Sequence, residues 1–381
     1  MNILFTCGGT GGHINPAIAV ANEMRERHPD CNILFIGAKG HMEEHLVPKA
    51  GYELKCLEIA GMSRGKNWNA IKKNVRNVAD TVKAVAQSKK IIRQFQPDVI
   101  LGTGGYACFP SLMAGSLMGI PTCIHESNAI PGLTTKLVAG RVDKVLIAFA
   151  ESAKQYQHPE RVETVGMPVR KEFIYLSRED ARKELGIGDE PLVVSAFGSL
   201  GAKVMNETIA EMLRIEKENG YPFRHIHATG SYGWEWMPEK VASKGVDLAE
   251  TKQLDMREYI YNMPTVMAAA DVIISRAGAG SCNEIAASGT PSVLIPSPNV
   301  AANHQEKNAR VLSERGGAVL MLEKDCTAEG LYRTVAQLLA DQNQRESMSN
   351  ALRSWVVLDS ADRICDIMEN LVRTKQKLAD R

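Results

Sequence analysis

Glycine-rich segments with titratable neighbours are the parts of this sequence best suited to chemistry. The first is Gly8-Gly9-Thr10-Gly11-Gly12-His13, which follows an apolar run and precedes a helical pattern. A glycine loop between a strand and a helix exposes backbone N–H groups that can bind a phosphate. A tight strand-to-helix turn alone would need fewer glycines and no histidine. The segment therefore predicts an anion-binding loop that also carries an imidazole.

Two more segments of this kind lie in the first half of the chain. Gly102-Thr103-Gly104-Gly105-Tyr106 and His125-Glu126-Ser127-Asn128 each follow a short apolar run that predicts a strand. Because parallel strands end at one edge of a sheet, all three segments should meet around one crevice. That crevice would gather two glycine loops, two histidines and a carboxylate.

The second half of the chain repeats the pattern. Gly198-Ser199-Leu200-Gly201 is a second candidate phosphate loop, and Arg276–Ser281 leads from a strand into a helix that carries Glu284. A carboxylate there can accept hydrogen bonds from ribose hydroxyls, or it can simply favour the helix N-terminus by its charge. With His304-Gln305 in a later loop, these segments predict a pocket for a sugar nucleotide.

Two common nucleotide-binding motifs are excluded. A dinucleotide fingerprint that starts at Gly9 would need glycine where Ile14 stands, and no acidic residue closes the second strand at Ile36-Gly37. No Gly-Lys-Ser/Thr follows the first loop, so it is not a P-loop. An NAD-dependent dehydrogenase is therefore disfavoured.

The elements that must position these loops alternate along the chain. Short, continuously apolar strands separated by helices predict an α/β fold with parallel sheets covered on both faces. The predicted strands are 2–7, 31–37, 98–101, 121–125 and 144–148, then 191–197, 223–229, 271–275, 292–296 and 318–322. The pattern predicts two doubly wound domains, with helices expected at 16–27 and from 202 to about 219.

The chain's length also favours two domains. We expect one domain to comprise residues 1–168 plus about 358–381, and the other residues 169–357, with the boundary near Gly166-Met167-Pro168. The amphipathic stretch from about Asp359 to Lys377 would return to cover the first domain.

Composition narrows the class of protein. Apolar residues make up 44% and the formal net charge is +1, as in a soluble globular protein, so mean charge indicates no partner. The sequence has no secretion signal, no apolar run long enough to span a bilayer and no CxxC pair among eight cysteines. This pattern predicts a protein of the reducing cytoplasm, with no structural zinc and no nucleic-acid partner.

One segment is strongly basic. Residues 61–96 contain nine Lys or Arg residues and a single acid, Asp80, interleaved with Trp68 and several valines. From Arg64 to Arg93 the segment suits the anionic inner face of the cytoplasmic membrane, to which the protein would bind peripherally. A solvated helix face that packs on the core through its valines is the alternative.

Eight segments together resemble one family. They are GGTGGHINPAIAVA from Gly8, GTGGY from Gly102, HESNAIPGLTTK from His125, GMPVR from Gly166, FGSLGA from Phe197, EYIYNMP from Glu258, SRAGAGSCNEIAASGTPS from Ser275 and NHQEKNA from Asn303. In this order they resemble glycosyltransferase family 28. The resemblance is to its inverting members, which move N-acetylglucosamine from UDP-N-acetylglucosamine to undecaprenyl-linked muramoyl-pentapeptide in peptidoglycan synthesis.

The resemblance implies the GT-B fold, two Rossmann-like domains separated by a deep interdomain cleft, and a set of site residues. It places on the donor Thr10, Gly11, Gly12, Asn128, Arg170, Ser199, Ile260, Ala279, Gly280, Ser281, Glu284 and Gln305. It places on the acceptor diphosphate Gly9, Gly104, Gly105 and Tyr106. Two positions depart from the family pattern, since Leu200 stands where glutamine is common and Met167 where asparagine is common.

Inverting transfer needs a base for the acceptor hydroxyl and stabilisation of the leaving diphosphate. His13 is the expected base, and Glu126 is the second candidate or a residue that orients the base. No Asp-x-Asp metal signature follows a strand. Helix N-termini and Arg170 are therefore expected to replace a bound cation, and no cofactor is expected.

Other functions stay open on sequence alone. A related GT-B enzyme could glycosylate diacylglycerol, and a UDP-N-acetylglucosamine epimerase shares the scaffold. A nucleotide-sugar-binding protein without catalysis would not need His13 and Glu126.

Overall fold

The computed structural model describes residues 1–59 and 68–379, with the backbone alone for residues 68–79, Ala301 and Ala379. The chain divides into two compact domains. The first comprises Met1–Val169 with Val357–Arg381, and the second comprises Arg170–Val356.

The first domain is built on a seven-stranded sheet in the order β3-β2-β1-β4-β5-β6-β7, with every neighbouring pair parallel. Its strands are β1 (Asn2–Thr6), β2 (Asn32–Ala38), β3 (Glu53–Leu57), β4 (Val99–Gly102), β5 (Thr122–Glu126), β6 (Lys144–Ile147) and β7 (Val162–Thr164). Its helices before the boundary are α1 (Gly11–Arg27), α2 (Glu43–Lys49), α3 (Trp68–Phe95), α4 (Cys108–Leu117) and α5 (Leu133–Val138).

The second domain has a six-stranded parallel sheet in the order β10-β9-β8-β11-β12-β13. Its strands are β8 (Leu192–Ala196), β9 (Arg224–Ala228), β10 (Leu254–Arg257), β11 (Val272–Ser275), β12 (Ser292–Leu294) and β13 (Ala318–Leu320). Its helices are α6 (Glu172–Tyr175), α7 (Arg178–Leu185), α8 (Lys203–Glu218), α9 (Ser231–Trp234), α10 (Met237–Ser243), α11 (Met263–Ala269), α12 (Ala279–Ser288), α13 (His304–Glu314), α14 (Ala328–Ala340) and α15 (Gln342–Trp355).

Both faces of the first sheet are covered, which explains its continuously apolar strands. Phe5 belongs to one core, beneath α1 and the last helix α16 (Ser360–Ala379), while its neighbour Leu4 belongs to the other core, beneath α3, α4 and α5. Helix α16 packs on α1 through Ile364 and Met368. Arg27 of α1 also forms ion pairs with the carboxylates of Asp362 and Asp366 on α16.

Three strands were not predicted, namely β3, β7 and β10. All three lie at sheet edges, where at most one residue of each strand is buried. An edge strand carries polar residues such as Glu53, Lys55 and Asp255, so it lacks the apolar run by which the central strands were recognised. Helix α1 also begins at Gly11 rather than Pro16, because the end of the glycine loop is itself helical. None of the helices formed by the described residues is long and apolar enough to span a bilayer.

The glycine loop after β8 is clamped to the segment after β9. A Cβ atom at Gly201 would lie 2.0 Å from the carbonyl oxygen of Thr229, and the φ of Gly201 is +77°. We predict that Gly201→Ala lowers the stability of the second domain by about 3 kcal/mol, from backbone strain plus a clash that no side chain can relieve. Thermal unfolding followed by circular dichroism would measure the loss.

Gly220 supplies the matched control for this prediction. Its φ is +73°, but a Cβ atom there would meet no atom within 4 Å. Gly220→Ala should therefore cost only the strain of the left-handed backbone, about 1 kcal/mol. Equal losses in the two variants would show that the close approach of the two loops contributes nothing.

Candidate active site

The first domain brings its two glycine loops together at the point where the strand order reverses. β1 and β4 are neighbours in the sheet, and their following loops pack so closely that a Cβ atom at Gly105 would lie 2.2 Å from the carbonyl oxygen of Gly8. The Thr103 hydroxyl donates to the backbone carbonyl of His13 at 2.6 Å. In open parallel sheets, ligands bind at this kind of switch point.

His13 lies between these loops on the first turn of α1. Its Nδ1 is 3.1 Å from the carbonyl oxygen of Gly8, and its ring packs so tightly that a Cβ atom at Gly104 would lie 2.7 Å from its Cδ2. A carbonyl oxygen only accepts hydrogen bonds, so this contact favours the neutral tautomer with the proton on Nδ1 and the lone pair on Nε2. The hydroxyl of Thr10 is a second, longer contact of Nδ1, at 3.5 Å. A general base of this kind would need the tautomer that the Gly8 carbonyl favours.

The glycine loop also contacts a carboxylate that the sequence analysis did not single out. Glu43, at the start of α2, is fully buried. Its Oε2 accepts from the backbone N–H of Gly9 at 3.1 Å and its Oε1 accepts from that of Ala38 at 2.9 Å. The amide of Gly9 is therefore bonded inside the protein. The amides of Gly11 and Gly12 lie at the N-terminus of α1, where the Thr10 side chain forms no capping hydrogen bond.

Glu126, the second candidate base, is almost fully buried and holds its own loop together. Oε1 accepts from the backbone N–H of Asn128 at 3.0 Å and from its side-chain amide at 3.1 Å. Oε2 accepts from the backbone N–H of Gly132 at 2.9 Å and from the hydroxyl of Thr135 at 2.6 Å. A carboxylate offers about four lone-pair sites. These four donors use them all, and none of the four comes from His13.

Two neighbouring side chains add to this arrangement. The Nε2 of His125 is 2.8 Å from the carbonyl oxygen of Gly166, and burial lowers the pKa of this imidazole. The hydroxyl of Tyr106 is 2.5 Å from Nε2 of His41. Burial, with a smaller contribution from Glu43, raises the pKa of the Tyr106 phenol. His41 was not predicted from sequence, because a single histidine after a strand has no distinguishing neighbours.

In the second domain, the sheet order reverses between β8 and β11. The loop after β8 leaves Ser199 exposed, and its backbone carbonyl accepts from the N–H of Ser231 at 3.1 Å. Leu200 is 53% exposed. Ile260 is buried and anchors its loop.

Helix α12 begins directly after β11. Gly278 is its N-cap without a side-chain capping bond, and a Cβ atom at Gly280 would point into open space. The first amides of such a helix lack intrahelical partners and favour an anion. Burial raises the pKa of Glu284, one turn further on, and the positive charge of Arg170 partly offsets that rise. Arg170 therefore lies near enough to Glu284 for its charge to act on that carboxylate.

Gln305 is held at the start of α13. Its Oε1 accepts from the backbone N–H of Ser297 at 2.9 Å, which leaves its amide NH₂ as the group suited to donate to a sugar hydroxyl. Asn308 is buried and donates to the carbonyl of Ala277, so it ties α13 to the loop before α12. Met167, at the position where the family pattern has asparagine, is also buried.

Two doubly wound parallel domains, each with glycine-rich loops at its switch point, define the class of GT-B proteins, which bind nucleotide sugars. Comparisons with known proteins narrow the class. The model of the glycosyltransferase family 28 N-terminal domain matches residues 3–147, and that of the family 28 C-terminal domain matches residues 192–364. The chain belongs to glycosyltransferase family 28.

Its relatives match over almost their whole length. A protein of Acetivibrio thermocellus is 39% identical over 98% of this chain and 99% of its own. One of Thermoanaerobacter sp. is 41% identical over 97% of this chain and 100% of its own. Both are named UDP-N-acetylglucosamine--N-acetylmuramyl-(pentapeptide) pyrophosphoryl-undecaprenol N-acetylglucosamine transferase. The crystal structure of Acinetobacter baumannii MurG, 25% identical, superposes with a TM-score of 0.74 over 97% of this chain and 99% of that one.

Proposed function

We propose that this protein transfers N-acetylglucosamine, with inversion, from UDP-N-acetylglucosamine to the C4 hydroxyl of muramoyl-pentapeptide on undecaprenyl diphosphate. The observation that carries the proposal is the sequence identity of 39% and 41%, over almost the whole chain, to proteins named for this transfer. The site geometry supports it, because a sugar hydroxyl needs a base and His13 has the tautomer of one.

The donor is assigned to the second domain. The diphosphate binds at Ser199 and at the N-terminus of α12, where Ala279, Gly280 and Ser281 lie. Its charge grows as the glycosidic bond breaks, and preorganised backbone amides stabilise that charge without moving. Glu284 accepts from the ribose hydroxyls, Arg170 approaches the nucleotide and Gln305 donates to the transferred sugar.

The acceptor is assigned to the first domain. Its diphosphate approaches the loops of Gly104, Gly105 and Tyr106. Gly9, the fourth residue expected at this diphosphate, has its amide bonded to Glu43. Thr10, Gly11 and Gly12 of the same loop are assigned to the nucleotide-sugar donor. Nε2 of His13 then takes the proton of the acceptor hydroxyl as the new glycosidic bond forms.

Transfer of radiolabelled N-acetylglucosamine from its UDP donor to a short-chain analogue of the muramoyl-pentapeptide lipid tests the proposal. We expect label in the lipid product and release of one UDP for each sugar transferred. Donor binding without transfer to this acceptor would contradict the proposal, and diacylglycerol would then be the next acceptor to try. Absence of donor binding would contradict the assignment of the second domain.

We further propose that the first domain binds the anionic inner face of the cytoplasmic membrane, where the lipid-linked acceptor lies. Arg64 and Lys66 of the basic segment lie outside the described residues. Further along α3, Ala84, Ser88 and Ile92 are buried, whereas Lys83, Lys90 and Arg93 are exposed. The helix thus packs on the core through one face and presents basic residues on another.

Exposed leucines adjoin this region. α3 packs on α4 and α4 packs on α5. Leu133 and Leu137, one turn apart on α5, are 59% and 55% exposed, and Lys136 and Arg141 beside them are also exposed. Apolar side chains flanked by basic ones favour an anionic bilayer surface.

We predict that the double variant Leu133→Ser/Leu137→Ser binds vesicles of phosphatidylglycerol and phosphatidylcholine at least about tenfold more weakly, because each leucine loses apolar burial in the bilayer. Co-sedimentation measures the binding. Leu358→Ser is the control, since Leu358 is 48% exposed in the same domain but is not part of α5. Unchanged binding of the double variant would contradict this part of the proposal.

A further inference from the structure

One peptide unit connects a buried carboxylate to the imidazole of His13. Because a trans peptide is planar, the C=O of Gly8 and the N–H of Gly9 point in opposite directions from one rigid plane. The N–H donates to Oε2 of Glu43 at 3.1 Å, and the C=O accepts from Nδ1 of His13 at 3.1 Å. The Thr10 hydroxyl, 3.5 Å from Nδ1, can donate or accept, so the orientation of this plane decides whether the nearest partner of His13 Nδ1 is an acceptor or a donor.

The two residues that this peptide plane joins do not by themselves fix its orientation. It joins two glycines, and the φ of Gly9 is +88°, a region that glycine enters without steric cost. A rotation of the plane by about 180° would exchange its two ends. His13 Nδ1 would then face an N–H donor, so Nδ1 would carry the lone pair and the ring proton would move to Nε2. Nε2 could then no longer accept a proton.

Glu43 opposes that rotation. Its carboxylate is fully buried, and Oε1 is fixed by the N–H of Ala38 at 2.9 Å. In the rotated state a carbonyl oxygen would face Oε2, and two acceptors cannot bond to each other, which makes that state costly in a buried site. The space for the side chain is kept by two glycines. A Cβ atom would lie 2.6 Å from Glu43 Cγ at Gly37 and 2.8 Å from Glu43 Oε1 at Gly8.

We infer that Glu43 is a positioning residue for the transfer reaction: by fixing the Gly8–Gly9 peptide plane, it holds His13 in the tautomer with the proton on Nδ1. Nε2 then keeps the lone pair that accepts the proton of the sugar hydroxyl. The inference rests on the proposed function for its catalytic consequence. The tautomer itself can be observed without turnover.

Glu43→Gln tests the inference in the full-length chain. The glutamine NH₂ can donate to the Gly8 carbonyl of the rotated plane, so the variant stabilises the rotated state while it keeps the size of the side chain. We expect kcat to fall about tenfold or more with the KM for UDP-N-acetylglucosamine unchanged. In ¹⁵N-histidine NMR spectra, the His13 signals should shift toward the Nε2–H tautomer.

Two further variants make the outcome decisive. Glu44→Gln changes the same charge on the adjacent residue, which is not fully buried, and should leave both readouts as in the wild type. Glu43→Asp keeps two acceptor oxygens and should retain the Nδ1–H tautomer even where its shorter side chain lowers stability. A Glu43→Gln protein with the wild-type tautomer would overturn the inference, whether or not its activity falls. Absence of transfer by the wild type would instead overturn the proposed function and leave the tautomer measurement valid.

Discussion

His13→Ala should lower kcat about 10²- to 10⁴-fold while UDP-N-acetylglucosamine binds as tightly as before. The factor is that expected for loss of a positioned general base. Donor affinity should be retained because the donor is assigned mainly to the second domain, at Ser199, α12 and Gln305. Steady-state transfer and isothermal titration of the donor measure the two quantities.

A second substitution separates proton transfer from packing. His13→Gln places an amide that can still donate to the Gly8 carbonyl but cannot accept a proton from a sugar hydroxyl. It should lose as much activity as His13→Ala. Added imidazole should partly restore His13→Ala, whose missing ring leaves space beside Gly104. His158→Ala, in which an exposed histidine paired with Glu160 is removed, should keep full activity.

The opposite pattern would redirect the mechanism. If His13→Gln kept most of the wild-type kcat, the ring of His13 would only cap its loop, and another group would take the hydroxyl proton. A rise in the dissociation constant for the donor, with kcat unchanged, would place His13 on the nucleotide sugar instead.

The sequence allowed the order of strands and loops to be predicted because the central strands are buried on both faces. Runs such as residues 2–7 and 271–275 are apolar without alternation, and each is followed by glycines. Once the strands are parallel, their loops must meet at one edge, so the convergence of the first-domain segments needed no three-dimensional information. The polar edge strands β3 and β10 were not predicted, because nothing in their sequence pattern distinguishes them from loops.

The partners of the site residues could not be predicted in this way. Glu43 is distant from Gly9 in the chain and lies on a short helix, where an acidic residue in the first turn is ordinary. Only the folded structure shows that its carboxylate is buried against the glycine loop. The sequence shows only that Gly8 and Gly37 are glycines, and the structure shows that a Cβ atom at either position would clash with the Glu43 side chain.

The sequence left Glu126 as a second candidate base beside His13, and the hydrogen bonds of the two residues add an argument for His13. Both residues have ionisable side chains, and both lie at the same edge of the sheet, Glu126 as the last residue of β5 and His13 in the first turn of α1 after β1. The carboxylate of Glu126 accepts hydrogen bonds from four donors of its own loop, whereas the Gly8 carbonyl beside His13 favours the proton on Nδ1. The spacing of residues along the chain does not show which hydrogen bonds a carboxylate already accepts.

This difference predicts what loss of the Glu126 carboxylate will do. In Glu126→Gln, one acceptor oxygen is replaced by an NH₂ group, so the N–H of Gly132 or of Asn128, each in a partly buried hydrogen bond, loses its partner. Loss of such a bond to a charged acceptor costs about 1–3 kcal/mol. We expect a thermal midpoint several degrees lower, together with a higher KM for the donor, because Asn128 is assigned to donor binding.

Thr135→Val supplies a matched test, since it removes one donor to Oε2 without changing the carboxylate. If Glu126 acts by holding its loop, Thr135→Val should reproduce part of both effects, and the two substitutions together should cost less than the sum of the single ones, because they break the same network. If Glu126 were instead the base, Glu126→Gln would lower kcat about 10²- to 10⁴-fold at nearly unchanged stability and donor KM. Thr135→Val would then leave kcat almost untouched. The two assignments therefore differ in kcat, in KM and in the thermal midpoint, so the same four proteins decide between them.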